Sequence, residues 1–216
     1  MSRSVLLIRH AESLANAGHP THDPASIPLT ELGGQQAMEL AERFPTAPDR
    51  IVLSSFLRTQ LTAKPLMQRF PHVPADQLPL HEFTFLDPVR WAGTTLSDRL
   101  DAVREYWERH DADFCDGPEA ESFSEFYQRV LAGLESLRNS SEAFTAVFTH
   151  GYVIKVILWH LQSLEVDPLT TEGMRHFRAF MERTTIDNVS SHLIKIEGGA
   201  MKLDLLGRTP ETANVS

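Results

Sequence analysis

Two short strings in this sequence run from an apolar stretch straight into a histidine. Val5-Leu6-Leu7-Ile8 leads into Arg9-His10, and Phe144–Phe148 leads into Thr149-His150-Gly151. Such runs suit strands of a parallel sheet that are buried on both faces. Open α/β sheets bind ligands at the carboxyl ends of their strands. Each histidine therefore stands where a cleft should open, and the two can meet in space although they lie far apart in the chain. Arg9 adjoins the first histidine, and Arg58 follows closely on a further apolar run, Arg50–Ser54. Each histidine alone would read as a capping or packing residue, and Arg58 alone as a surface cation. Placed together at strand ends, two permanently charged guanidinium forks and two imidazoles describe a phosphate site.

The elements that must position them alternate along the chain. Thr30 caps a helix running through about Phe44, with Ala37, Leu40, Ala41 and Phe44 on one face. A helix at Thr59–Phe70 follows the Arg50–Ser54 strand, with Pro65 placed to kink or end it. From Phe70 to Gly93 the chain is rich in proline and aromatic residues without a clear period, which predicts an insertion lying over another part of the fold. Helices are predicted at Ser97–His110, Ser122–Leu137, Val153–Leu161 and Thr171–Met181. Strands are predicted at Thr184–Asn188, His192–Ile196 and Met201–Leu205, the last two joined as a hairpin by Gly198-Gly199. The polar tail from Gly207 reads as frayed.

This order predicts one α/β domain over residues 1–216: a three-layer sandwich whose mostly parallel, mixed sheet is flanked by helices. The inserted stretch, residues 70–117, is expected to cover part of the strand carboxyl ends. A length of 216 residues, 42 % of them hydrophobic and 23 % charged, suits one globular domain with a filled core. Twenty Lys and Arg against 29 Asp and Glu give a net charge of -9. So acidic a chain lacks the basic footprint of a nucleic-acid binder, although a local anion pocket remains compatible with it. No apolar run approaches the ~20 residues of a membrane span, so no membrane partner is expected. The single cysteine, Cys115, and the absence of a leader-like N-terminus point to the cytoplasm. No heptad or apolar surface stripe specifies an oligomer.

Leu7-Ile8-Arg9-His10-Ala11-Glu12-Ser13, with Asn16 beyond it, resembles the signature of the histidine phosphatase superfamily, which includes the cofactor-dependent phosphoglycerate mutases. Ala11 stands where the family usually has Gly. Four further segments are similar in the same order: Leu29–Gly33 with Gln36-Ala37; Ser54–Thr59 with Thr62-Ala63; Glu121-Ser122 with Phe126 and Arg129-Val130; and Phe148–Gly151 with Val153-Ile154. The likeness spans roughly residues 5 to 160.

The resemblance implies a phosphatase that hydrolyses a phosphate monoester through a phosphohistidine on His10. Arg9 and Arg58 would hold the non-bridging oxygens, His150 would add a donor, and Asn16 and Gly151 would line the site. Glu82, in Leu80-His81-Glu82-Phe83, matches the family's general acid, with Asp87 as its rival. The expected partner is a small phosphorylated substrate, and neither metal nor other cofactor is implied. Two alternatives stand beside hydrolysis: a mutase-like phosphotransferase, for which the chain is short, and a non-catalytic module that binds a phospho-ligand. Trp91-Ala92-Gly93 comes later than the corresponding family segment, so the pocket wall is reshaped and no substrate carries over. The Phe83–Trp91 aromatics suit either an organic leaving group or packing. The His19–Asp23 loop has the residue types of a metal site but poor spacing for one, and reads better as an edge of the cleft.

Overall fold

The computed structural model describes residues 2–162 and 166–204. Its elements follow the chain as β1 (Arg3–Arg9), α1 (Glu31–Glu42), β2 (Arg50–Leu53), α2 (Leu57–Arg69), β3 (Ala75–Gln77), α3 (Leu100–Glu108), α4 (Phe123–Arg138), β4 (Phe144–Thr149), α5 (Gly151–Gln162), α6 (Thr171–Arg183), β5 (Ser191–Glu197) and β6 (Ala200–Asp204). The six strands form one sheet in the order β3-β2-β4-β1-β5-β6. The pairs β3–β2, β2–β4 and β4–β1 are parallel, and β1–β5 and β5–β6 antiparallel.

Strand alternation builds the layers. Leu6 and Ile8 of β1 face a core shared with Leu40 and Phe44 near α1 and with Ala63 and Leu66 of α2. Val5 and Leu7 face the other way, into a core shared with α4, α5 and α6. The fold is therefore α/β in three layers, with a mixed sheet between helices. Capping residues set two helix starts: Thr30 Oγ1 accepts from Gly33 N, and Ser122 with Glu125 forms a full capping box at α4. Among the described residues no helix is long and apolar enough to cross a membrane.

Three local expectations need correction. Thr184–Asn188 is not a strand; it is irregular chain ending in a turn, although Ile186 is buried. Ala75–Gln77, inside the supposed insertion, joins the sheet as its outermost parallel strand. Its three residues are all exposed, so no apolar period announces it, and the Arg50–Asp76 pair ties it to β2. The helix expected at Ser97–His110 is a 3-10 turn at Ser97–Arg99 followed by α3, and His110 lies beyond its end with a positive φ of 50°. Pro65 does not end α2. Phe83 and Phe85 are packing residues, buried against Tyr106 and Trp107 of α3. Leu205 and the tail from Gly207 lie outside the described residues.

The segment after β1 is docked on α1. Glu12 O accepts from Thr30 N, and Glu12 N donates to Gln36 Oε1. Gly33 leaves no room at this contact, because a Cβ there would lie 2.0 Å from Glu12 O. Gly33→Ala must push apart two backbones, which should cost about 1–3 kcal/mol by the usual scale of overpacking. Urea unfolding is expected to show the loss, and because Glu12 is two residues past His10, activity should fall with it.

Candidate active site

Sheet register brings the two histidines together. Arg9 of β1 pairs with Thr149 of β4, so His10 and His150 leave neighbouring parallel strands side by side. Their ring centroids are 5.2 Å apart, close to the spacing of adjacent strands. Leu53 pairs with Phe148, which sets Ser54 at the same level. Ser54 Oγ lies 2.6 Å from His150 Nε2.

Hydrogen bonds assign the tautomers. His10 Nδ1 lies 2.8 Å from Ala11 O, so it carries the proton. His10 Nε2 then keeps its lone pair and accepts from Arg58 Nε at 3.1 Å. Ser54 Oγ accepts from Phe56 N, leaving its own proton for His150 Nε2. With the Ser54 hydroxyl proton on Nε2, His150 Nδ1 is the protonated nitrogen, and it is buried without a partner. Both histidines are held neutral. Burial is the larger cause, and the Arg58 guanidinium the next, pushing His10 and His150 well below the ordinary histidine range.

The arginines come from different elements. Arg58, on the first turn of α2, is buried; its NH1 donates to Pro24 O and its guanidinium sits 4.9 Å above the Phe56 ring. Burial lowers its pKa to about 10, still far above neutrality. Arg9 NH1 donates to Ile186 O at 2.6 Å, while its Nε is buried without a partner. Gly151 opens α5 between Arg9 and Glu82: a Cβ on it would lie 3.7 Å from Arg9 Nε and 3.8 Å from Glu82 Oε2.

Glu82 is half-buried at the start of α5. Its Oε1 accepts from Phe83 N and Tyr152 N. Desolvation raises its pKa, and Arg58, Arg9 and these two amides only partly offset that. Asp87 has the opposite environment. Its Oδ1 accepts from Val89 N and Arg90 N, and its pKa is lowered, chiefly by the bond from Arg90 N. A Cβ on Gly117 would lie 2.1 Å from Asp87 Oδ2, so this carboxylate is packed into a turn. Asn16 is exposed. Its Oδ1 accepts from Ser13 N and Asn188 Nδ2, so its carbonyl is spent on the loop. In the His19–Asp23 loop, Asp23 Oδ1 accepts from Ala25 N; Ala25 O in turn accepts from Leu57 N at the start of α2.

Three side chains of this region escaped the sequence reading of roles. In the sequence Ser54 belongs to a strand and to a family-like segment, and its place one step beyond β2 is the available signal. Asn188 Nδ2 donates to His10 O at 2.8 Å, from the Thr184–Asn188 segment whose composition predicts a strand. Arg129, on α4, pairs through Nε and NH2 with both oxygens of Glu121, each at 2.8 Å, and donates through NH1 to Pro79 O and His81 O. Thr149 Oγ1 donates to Leu80 O between them. The chain leading into Glu82 is thus clamped at three successive carbonyls. Arg129→Ala is expected to lower kcat about 10²-fold, the usual effect of a displacement near 1 Å in a catalytic group. Steady-state kinetics would show it, with Arg129→Lys recovering only part because an ammonium cannot span Glu121 and both carbonyls.

Comparison with known proteins meets this geometry. The histidine phosphatase superfamily (branch 1) matches residues 5–209. The chain belongs to this superfamily. Among histidine phosphatase relatives, a Yersinia pestis protein named "Probable phosphoglycerate mutase GpmB" is 30 % identical over 172 residues, covering 74 % of this chain and 75 % of its own. The α-ribazole phosphatase from Shigella flexneri superposes with a TM-score of 0.69 at 24 % identity, over 97 % of each chain. A phosphoserine phosphatase mutant from Entamoeba histolytica, solved with phosphoserine, superposes at 0.70 and 19 % identity, over 99 % of this chain and 100 % of that one. These two likenesses support the histidine phosphatase fold.

Proposed function

We propose that the protein hydrolyses a small phosphate monoester, with His10 Nε2 as nucleophile. The observation that carries this reading is two buried, unpartnered nitrogens, Arg9 Nε and His150 Nδ1, close to a neutral histidine whose Nε2 is the unprotonated nitrogen. Buried polar groups normally find partners, and a phosphoryl dianion supplies acceptors for both. To reach Nε2 the phosphorus must displace the Arg58 hydrogen bond. Arg58 then donates to a non-bridging oxygen instead, as Arg9 and His150 do. Nε2 forms its bond to phosphorus as the ester P–O bond breaks. Glu82, whose desolvated carboxyl favours the proton, gives it to the departing alkoxide. Its carboxylate then takes a proton from the water that attacks phosphohistidine, releasing inorganic phosphate and restoring neutral His10. Fixed charge and positioning carry most of such a step. Asp87, spent on amides and held ionised, is poorly suited to be the acid.

Phosphate release from a panel of alkyl and sugar monophosphates, run in EDTA, tests the proposal. Turnover that chelator leaves unchanged is expected; no release from any ester would overturn it. The name of the Yersinia relative favours a second reading, transfer between two hydroxyls. Interconversion of 2- and 3-phosphoglycerate faster than release of inorganic phosphate would replace hydrolysis by that reaction.

A further inference from the structure

A cavity of about 580 Å³ lies one ring away from His150, on the far side of contacts made by Phe56. Phe56 and His81 form its inner wall. The Phe56 ring packs 5.3 Å from the His150 ring and 5.4 Å from the His81 ring. Pro24, on the same wall, is the residue whose carbonyl accepts from Arg58. Phe56 and Pro24 thus connect this cavity to His150 and Arg58. Ligand pockets of this size commonly combine an apolar wall with a few polar groups that set selectivity.

The charge of the cavity is one-sided. Arg129 is its one guanidinium among the described lining residues, and it is spent on both oxygens of Glu121 and on two backbone carbonyls. His81 is neutral, burial and Arg129 having lowered its pKa to about 4. Against these stand four carboxylates, Asp23, Glu119, Glu121 and Glu125. Glu121 is balanced by Arg129, which leaves Asp23, Glu119 and Glu125 in surplus. A second anionic group on a substrate would meet these three and no uncommitted cation.

We propose that this cavity takes the alcohol portion of the substrate, and that it selects phosphomonoesters whose alcohol is uncharged or cationic over those whose alcohol bears a second anion. This rests on the phosphatase reading for the place of the phosphoryl group. It also sets the chain apart from phosphoglycerate-type chemistry, in which the transferred group sits on a carboxylate-bearing alcohol.

Calorimetric binding of three matched phosphonates tests it without needing turnover: 2-aminoethyl-, ethyl- and 2-carboxyethylphosphonate, at a pH where phosphorus is dianionic in each. The aminoethyl compound is expected to bind at least about 10-fold more tightly than the carboxyethyl one, since each nearby unpaired charge is worth roughly threefold in water-like surroundings. Glu119 is exposed and outside the catalytic set. Glu119→Lys should shrink the gap by about 3-fold or more while ethylphosphonate binds as before. Equal or tighter binding of the carboxyethyl compound, a gap unmoved by Glu119→Lys, or no binding of any of the three would overturn the inference. The expected order of affinities together with no hydrolysis of any ester would count against hydrolysis alone and uphold the cavity's selectivity.

Discussion

His10→Ala is expected to lower kcat/KM by at least about 10⁴-fold for every ester the protein hydrolyses, the scale on which nucleophile removal acts in covalent catalysis. Inorganic phosphate should still bind, because Arg9, Arg58 and His150 remain. The size of the loss follows from the absence of a substitute: the other unprotonated ring nitrogen among these four side chains, His150 Nε2, is taken up by the Ser54 hydroxyl at 2.6 Å, whereas His10 Nε2 faces Arg58. The pH profile gives a companion result. An exposed histidine loses its lone pair to a proton below about 6.5. Burial and Arg58 hold His10 well under that value, so activity should stay flat as pH falls through the ordinary histidine range and drop only in more acid solution. An acid limb at the ordinary value, or more than a few per cent of activity in His10→Ala with phosphate binding intact, would place the nucleophile elsewhere.

Glu82→Gln is expected to cost about 10²–10⁴ in kcat for alkyl phosphates, the usual worth of a general acid. The amide keeps an oxygen for Phe83 N and Tyr152 N and loses only the proton. With p-nitrophenyl phosphate, whose leaving group needs no proton, the variant should approach wild-type rates. Equal losses on both esters would remove Glu82 from the role. The sign of the pH dependence is set by desolvation, which raises the Glu82 pKa. The protonated, active form is present below that pKa and is lost as pH rises through it, giving an alkaline limb that Glu82→Gln abolishes. Arg58 and Arg9 pull the same pKa down, and a bound phosphoryl dianion neutralises both. The limb should therefore lie at higher pH in kcat than in kcat/KM.

The parts of this site that the sequence displays are those whose position depends only on strand register. Val5–Ile8 and Phe144–Phe148 are unbroken apolar runs, so their ends, and with them His10 and His150, could be placed from the chain alone. Arg58 follows for the same reason, in the first turn of the helix after β2. The parts that stayed hidden depend on long-range contacts with no local pattern. Asn188 reaches His10 O from a segment whose β-branched Thr184-Thr185-Ile186 resembles a strand, but whose backbone turns at Val189, φ 54°, to donate to Arg9 O. Arg129 sits on the polar side of an amphipathic helix, where an ion pair leaves no periodic trace. β3 is an exposed edge of three polar or small residues, below the length at which alternation is visible. Glu82 and Asp87 likewise cannot be told apart from the chain, since the two differ in what surrounds their carboxyls rather than in type.

The most direct measurement is rapid acid-free quenching of the enzyme during turnover of a ³²P-labelled ester, followed by mapping of the label. A covalent adduct on His10, labile to acid and stable to base, forming no more slowly than phosphate is released and absent from His10→Ala, is the expected result. Full turnover with no protein-bound label at any quench time, or label carried by another residue, would contradict a phosphohistidine at His10.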